Sequence, residues 1–476
     1  MAGKYGGGGD SGRSDQAGQG REQGLGQGQG EGQHAQRGTG ERFSSLGFIL
    51  AAIGSSVGLG NMWKFPYITG KYGGAAFFLM FTICLIAIGI PVLLAELAIG
   101  RAGRGSPFTS MRRLGGSKFW GGFGFLSIAG AFVIMSYYAV VAGWTLHYAM
   151  ISLGGSLFAN TDYAGTFFAF IGSWLPVGWQ ALVMVLTAAV VAGGVSSGIE
   201  RFNKILIPGL VILLLVLAVR ALTLEGAGEG VSFFLRPDFS KLTAESVIAA
   251  LGHAFFSLSL GMGTMLTYGS YVEKSQSLGA ATIAIAGGDL LYALLAGLII
   301  FPTTFVFGIE PTEGAGLVFM ALPAAFSAMP FGAFIGGLFF ILLAIAALTS
   351  AVSILEVPVA FVRERFKLSR TKAAAITGVV CFLVGLPSAL SAGDAAEGLN
   401  WGGRSFFDWM DFLSSNVILP LGGLAVTIFA GYVWKQAGDE AGLSAWWFRL
   451  WVFMLRYVAP VLIVLVFLYF SGILRF

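Results

Sequence analysis

The sequence predicts an all-α polytopic membrane protein of about eleven transmembrane helices, built as two inverted five-helix repeats whose leading members, the first and sixth helices, are broken. Three observations carry that expectation. Of 476 residues, 56% are hydrophobic and 11% charged, and the mean hydropathy is +0.80, more apolar surface than a soluble core can hide. Lys and Arg are absent from residues 119–200 and 275–362 and gather in short segments between apolar runs. The stretch Ser56-Val57-Gly58-Leu59-Gly60 returns as Ser259-Leu260-Gly261-Met262-Gly263. Five spans separate the two copies, so the second enters the membrane from the opposite face, with a site at the midplane between the halves.

Residues 1–40 are dominated by Gly, Gln and charged side chains. They cannot bury enough apolar surface to offset ordering entropy, which predicts a disordered cytoplasmic tail with no signal-peptide core and no nucleic-acid partner. Residues 41–476 read as one transmembrane domain. The spacing of apolar runs places spans near 43–68, 75–99, 122–152, 178–197, 200–223, 245–270, 279–308, 334–362, 372–390, 404–434 and 447–473. The repeats are then about 43–223 and 245–434, with 447–473 as the eleventh helix. Basic clusters at Arg101/Arg104/Arg112/Arg113/Lys118, Arg201/Lys204 and Arg363/Arg365/Lys367/Arg370/Lys372 all fall on the side of the N-terminal tail. That side is cytoplasmic under the positive-inside rule, and an odd helix count puts the C-terminus outside the cell membrane.

The first span cannot stay helical. Gly54, Gly58 and Gly60 fall within seven residues, and each weakens a helix interior by roughly 1 kcal/mol relative to alanine. In hydrocarbon every freed N–H and C=O needs another partner, so a break at that depth belongs beside a cavity. A cation suits the freed carbonyls, and a carboxylate suits the N–H groups that open the next half-helix. Asp289 is a lone acid in the apolar run 281–302, where an ionised side chain costs a few kcal/mol or more unless partnered; a bound cation is such a partner. Cys84 and Cys381 lie in apolar runs and read as buried small hydrophobes, and His34, His147 and His253 have no ligand-like spacing. A membrane-embedded enzyme lacks any catalytic set: there is no His pair, no Ser/His/Asp arrangement and no metal-binding spacing.

Several motifs together resemble the neurotransmitter:sodium symporter family, over about residues 41–473. They are Gly54 to Pro66, Glu96 to Arg101, Tyr137-Tyr138, Phe256 to Gly263 and Leu348-Thr349-Ser350. The chain looks most similar to the bacterial amino-acid branch. The resemblance implies two sodium sites. One uses the carbonyls of Gly54, Val57 and Ala346 with the hydroxyls of Thr349 and Ser350. The other uses the Ser56 carbonyl, Asn61, Ser257 and Asp289, completed by the substrate carboxylate, so that ion and substrate help each other bind. It also implies a substrate pocket. Leu59 and Gly60 N–H groups and the Tyr138 phenol would hold the carboxylate, Ser56, Phe256 and the Ser259 region the ammonium, and Ile134, Phe256, Met262, Ser350 and Ile354 would surround the side chain. A flexible Met262 favours guests of varied shape.

In chloride-dependent relatives four positions form an anion cage; here they read Asp289, Ala293, Phe81 and His253, so the resemblance implies no chloride requirement. By the same resemblance Lys64 and Asp411 match an outer charge pair, Arg42 and Glu364 an inner one, and Gly198 with Pro208 an element of the fifth helix that unwinds towards the cytoplasm. The expected function is sodium-coupled symport of hydrophobic and aromatic L-amino acids by alternating access, with a non-transporting amino-acid sensor on the same fold as the alternative. The expected partners are an amino acid and the lipid bilayer; oligomeric state stays open.

Overall fold

The computed structural model describes residues 42–159, 161–309, 316–391, 399–470 and 473–474. The tail expected over residues 1–40 lies outside the described residues. Among the described residues nine continuous helices are long and apolar enough to cross a membrane: Ala75–Gly103, Lys118–Leu153, Leu175–Ala192, Val195–Leu222, Leu278–Val306, Gly332–Phe366, Arg370–Leu390, Phe406–Val433 and Ala445–Tyr469. Two interrupted pairs complete the eleven. The first is Ser45–Ser56 with Gly60–Lys71, bent by 44°; the sixth is Ala244–Ser257 with Thr264–Ser270.

Local chemistry sets the ends of the broken pairs. The Ser44 hydroxyl caps the first half-helix by accepting from Gly47 N–H at 3.1 Å, and the helix stops where Val57 takes φ −80°, ψ 80°. The second half restarts as a wide π turn over Gly60–Lys64, with Pro66 near the start of the α-helical part, where its missing N–H costs little. The sixth span opens with a reciprocal capping box between Thr243 and Ser246. Residues 258–263 then leave the helix, with Ser259, Gly261 and Gly263 all at positive φ.

Burial sorts the spans into an inner and an outer set. In the third (Lys118–Leu153) and eighth (Gly332–Phe366) spans, 72% and 78% of the most apolar window is buried, and the two pack along one another beside the broken pairs. The same share is 33% for the fourth and fifth spans and 28% for the eleventh, which therefore form the lipid-facing periphery. The eleventh is fixed to the second by Trp451, whose indole N–H donates to the Pro91 carbonyl at 2.9 Å. Short helices outside the predicted spans, Pro107–Gly115, Tyr163–Ile171 and Ala227–Leu235 among them, were not expected from hydropathy, being too short to cross.

In this conformation the fifth span is wound over the stretch expected to unwind towards the cytoplasm. From Gly198 to Pro208 the chain is wound throughout, as a π turn over Val195–Glu200 followed by the helix Arg201–Leu222. Pro208 removes only one ladder hydrogen bond, and the turn before it is held by Asn203 Nδ2 donating to the Ile199 carbonyl at 2.9 Å.

Candidate functional site

The two interruptions meet. Ser259 Oγ, in the sixth-span break, donates to the Ser55 carbonyl at 3.1 Å and lies 3.3 Å from Ser55 Oγ. Between them is a small cavity of about 20 Å³, lined by Ser56, Leu59, Gly60, Ile134, Tyr138, Phe256, Ser259, Met262, Ser350 and Ile354 together with Ser55, Gly58 and Ser257. All ten residues expected around a substrate thus share one cavity. Its volume is about that of one water-sized sphere, so admitting an amino-acid side chain requires the walls to move apart. Phe256 also lines a larger neighbouring cavity of about 200 Å³ with Lys64, Tyr67 and Asn416.

Beside the small cavity, Asn61, Ser257 and Asp289 are brought together. Asn61 Nδ2 donates to Asp289 Oδ1 at 2.6 Å, and Ser257 Oγ lies 2.8 Å from Asn61 Oδ1 and 2.6 Å from Asp289 Oδ1. The single Ser257 hydrogen can serve only one of those oxygens. Asp289 is fully buried, and its Oδ2 has no hydrogen-bond partner. The cluster therefore holds more lone pairs than hydrogens, in a place where water does not reach, and a small cation with a preference for oxygen would satisfy them.

Of the other expected ion set, Ser350 joins the eighth span to the first. Ser350 Oγ lies 3.3 Å from the carbonyl oxygens of both Gly54 and Ser55, either of which can accept its hydrogen, and Thr349 Oγ1 donates to the Ala346 carbonyl at 3.1 Å. Val57, with its non-helical ψ, turns its carbonyl out of the helix ladder. Tyr138 faces the cavity from the third span with its hydroxyl buried and unpartnered.

Neither gate pair forms. Lys64 Nζ sits over the Phe256 ring, 5.1 Å from its centroid, while Asp411 Oδ1 accepts from the Tyr137 hydroxyl at 3.1 Å and Ser415 Oγ at 3.0 Å. Asp411 Oδ1 thus takes neutral donors from the third span and from its own, while the lysine rests over the aromatic face. On the other side, Arg42 pairs with Glu273 at 3.5 Å, and Glu364 Oε2 accepts the Ser106 N–H at 2.9 Å. The start of the first span is held instead by Glu200, which accepts from Ser44 N–H at 2.9 Å and Ser44 Oγ at 2.6 Å and pairs with Lys204 at 2.5 Å. Glu200 escaped the sequence reading because a glutamate four residues before a lysine is ordinary helix-surface chemistry.

Two other participants were missed. Glu96, fully buried, accepts the Gly261 N–H at 2.7 Å through Oε1 and so satisfies the sixth-span break from the second span. Its isolation in an apolar run was the available signal, the same one that exposed Asp289. Ser55 had no such signal.

The sequence model of the sodium:neurotransmitter symporter family matches residues 41–162 and 171–474. The chain is 39% identical over 446 residues to the sodium-dependent transporter YhdH of Bacillus subtilis, covering 91% of this chain and 98% of that protein. It is 36% identical over 441 residues to a sodium-dependent transporter of Haemophilus influenzae, covering 89% and 96%. A crystal structure of MhsT in complex with L-phenylalanine superposes with a TM-score of 0.84 at 46% identity, covering 90% of this chain and 99% of that one.

Proposed function

Because the chain belongs to the sodium:neurotransmitter symporter family, and is a sodium-dependent multi-pass membrane transporter rather than an enzyme, we propose that it couples sodium to the uptake of hydrophobic and aromatic L-amino acids by alternating access. The observation that carries the proposal is the cavity shared by both broken helices, with an apolar wall of Ile134, Phe256, Met262 and Ile354 and the Asn61–Ser257–Asp289 cluster beside it. MhsT, similar over nearly its whole length, binds L-phenylalanine.

In this reading one sodium ion lies among the Ser56 carbonyl, Asn61, Ser257 and Asp289, and the substrate carboxylate completes its shell. The carboxylate also takes the Tyr138 hydroxyl and the Leu59 and Gly60 N–H groups. A buried hydroxyl without a partner costs about 1–3 kcal/mol, so a carboxylate that fills it recovers that cost only when the substrate is present. A second sodium ion lies among the carbonyls of Gly54, Val57 and Ala346 and the hydroxyls of Thr349 and Ser350. Each ion that moves inward contributes about 2.3 kcal/mol per 100 mV. The N-terminal side is cytoplasmic and the C-terminus outside.

Asp289 supplies the fixed negative charge, so chloride is not needed. Uptake of labelled L-phenylalanine and L-leucine into proteoliposomes tests the whole proposal: it should require sodium, vanish when potassium replaces it, and be indifferent to replacing chloride with gluconate. Binding without uptake would overturn the transport reading. Asp289→Ser should abolish uptake in chloride-free buffer, with chloride restoring part of it; a variant with unchanged uptake in both buffers would remove the role given to this carboxylate.

A further inference from the structure

The helix Pro107–Gly115 and the start of the third span, Lys118–Leu153, meet at a tight turn and leave an open-sided basin of about 500 Å³. Arg112, Arg113 and Lys118 line it, all three exposed. Among the described residues none of these cations has a carboxylate within ion-pair distance; Arg112 has only the Phe108 ring, 6.0 Å from its centroid. The basin is held in place. Its helix is capped by Ser106, whose N–H is gripped by Glu364, and Pro107, Ser110 and Met111 are buried against the body of the protein.

The basin continues into an apolar strip. Lys118 is the first residue of a 36-residue helix that contains an apolar window long enough to span the membrane, and the helix runs from the basin into that window. Below it on the same helix Phe119 is 67% exposed and Phe125 49% exposed. Gly122 lies between them, exposed, with open space where a side chain would be. Charge above, with a notch flanked by aromatic rings below, matches one molecule with a negatively charged head and an alkyl chain.

We propose that this surface binds an anionic phospholipid of the adjoining leaflet. Its phosphate sits among Arg112, Arg113 and Lys118, and one acyl chain lies along Phe119 and Phe125 across Gly122. A soluble phosphate would use the basin and ignore the strip; a zwitterionic lipid would use the strip and gain little from three cations. Near a membrane each cation adds materially to the attraction for anionic headgroups, and charge-assisted hydrogen bonds from arginine to phosphate add direction.

The test is native mass spectrometry of the full chain in detergent, titrated with dioleoyl phosphatidylglycerol or dioleoyl phosphatidylcholine. Phosphatidylglycerol should be retained about tenfold more strongly. R112Q/R113Q/K118Q should bring the two lipids level, and Gly122→Leu, which fills the notch without touching the charge, should at least halve retention of phosphatidylglycerol. R365Q/K367Q, on another basic segment of the same side, should change neither lipid. Equal retention of both lipids by the unaltered chain overturns the proposal, as does a preference that survives the triple substitution. Displacement of phosphatidylglycerol by inorganic phosphate, with Gly122→Leu silent, also overturns it and assigns the basin to a free anion.

Discussion

The two broken helices carry nearly the same five-residue motif and use it for different physical reasons. In the first span Gly58 and Gly60 keep negative φ, and the chain bends by 44° between short helices. What these glycines supply is room: a Cβ on Gly58 would stand 2.6 Å from Ser350 Oγ, and one on Gly60 2.8 Å from Phe256 Cε1. In the sixth span Gly261 and Gly263 take φ +80° and +76° and Ser259 takes +55°, so there the motif supplies conformation. The first break is a contact surface between segments; the second is a reversal of the backbone. Equal sequence patterns therefore predict unequal sensitivity.

The largest effect is expected at Gly261. Alanine at positive φ costs roughly 1–2 kcal/mol, and its Cβ would also run into the Leu419 carbonyl, a backbone atom that cannot swing aside. Gly261→Ala should remove nearly all uptake and lower thermal stability, whereas Gly60→Ala meets only the edge of a phenylalanine ring and should keep a measurable fraction. Uptake and thermal melting of both variants decide it. Equal losses would break the distinction between conformation and room.

Glu96 sharpens the same contrast, because it brings a carboxylate from another span to the freed Gly261 amide of the second break. In the first break the neighbouring Gly58 N–H finds the Ser56 carbonyl at 3.0 Å. Glu96→Ala should cost about 1–3 kcal/mol by leaving the Gly261 N–H buried and unpaired. Glu96→Gln keeps an acceptor oxygen and should recover most of the stability in a melting experiment. If Gln is as damaging as Ala, the residue acts through its charge instead.

The architecture was legible because hydropathy, basic clusters and a repeated glycine motif are strong signals for membrane spans. Eight of the ten expected residues that line the shared cavity sit on the motifs that carry the family resemblance, Ile134 and Ile354 being the exceptions, and the two breaks bring those motifs together. What stayed hidden were contacts that depend on tertiary distance. Lys64 and Asp411 lie on facing segments, yet neutral hydroxyls from Tyr137 and Ser415 satisfy Asp411, and nothing in the spacing of those residues reveals it. Arg42 and Glu364 have the right charges but find Glu273 and the Ser106 amide. Charge complementarity read along a chain names candidates; geometry chooses among them.

A smaller effect isolates the room-making role of the first break. A methyl group on Gly58 would push Ser350 Oγ away from the Gly54 and Ser55 carbonyls it now reaches at 3.3 Å. Gly58→Ala should therefore weaken sodium activation of uptake several-fold, and Ser350→Ala should do so by a comparable amount. In the double variant the losses should not add, since the second substitution removes an interaction that the first has already broken. Strict additivity in sodium titrations would mean that Gly58 matters for backbone freedom after all, as Gly261 does.

The smallest effect concerns the place where the two broken helices touch above the cavity. Lys64 belongs to the second half of the first span and Phe256 to the first half of the sixth, and the ammonium lies 5.1 Å from the ring centroid. A cation–π contact contributes roughly 0.5–1 kcal/mol where water remains close. Lys64→Gln should thus lower apparent substrate affinity by no more than about fivefold. Asp411→Asn should change it less, because Tyr137 and Ser415 can still bond the amide oxygen. A double-mutant cycle between Lys64 and Phe256→Leu should show coupling, and one between Lys64 and Asp411→Asn should show almost none. If the second cycle instead exceeds the first, the lysine reaches the aspartate in the state that limits binding, and the aromatic contact is only a resting position.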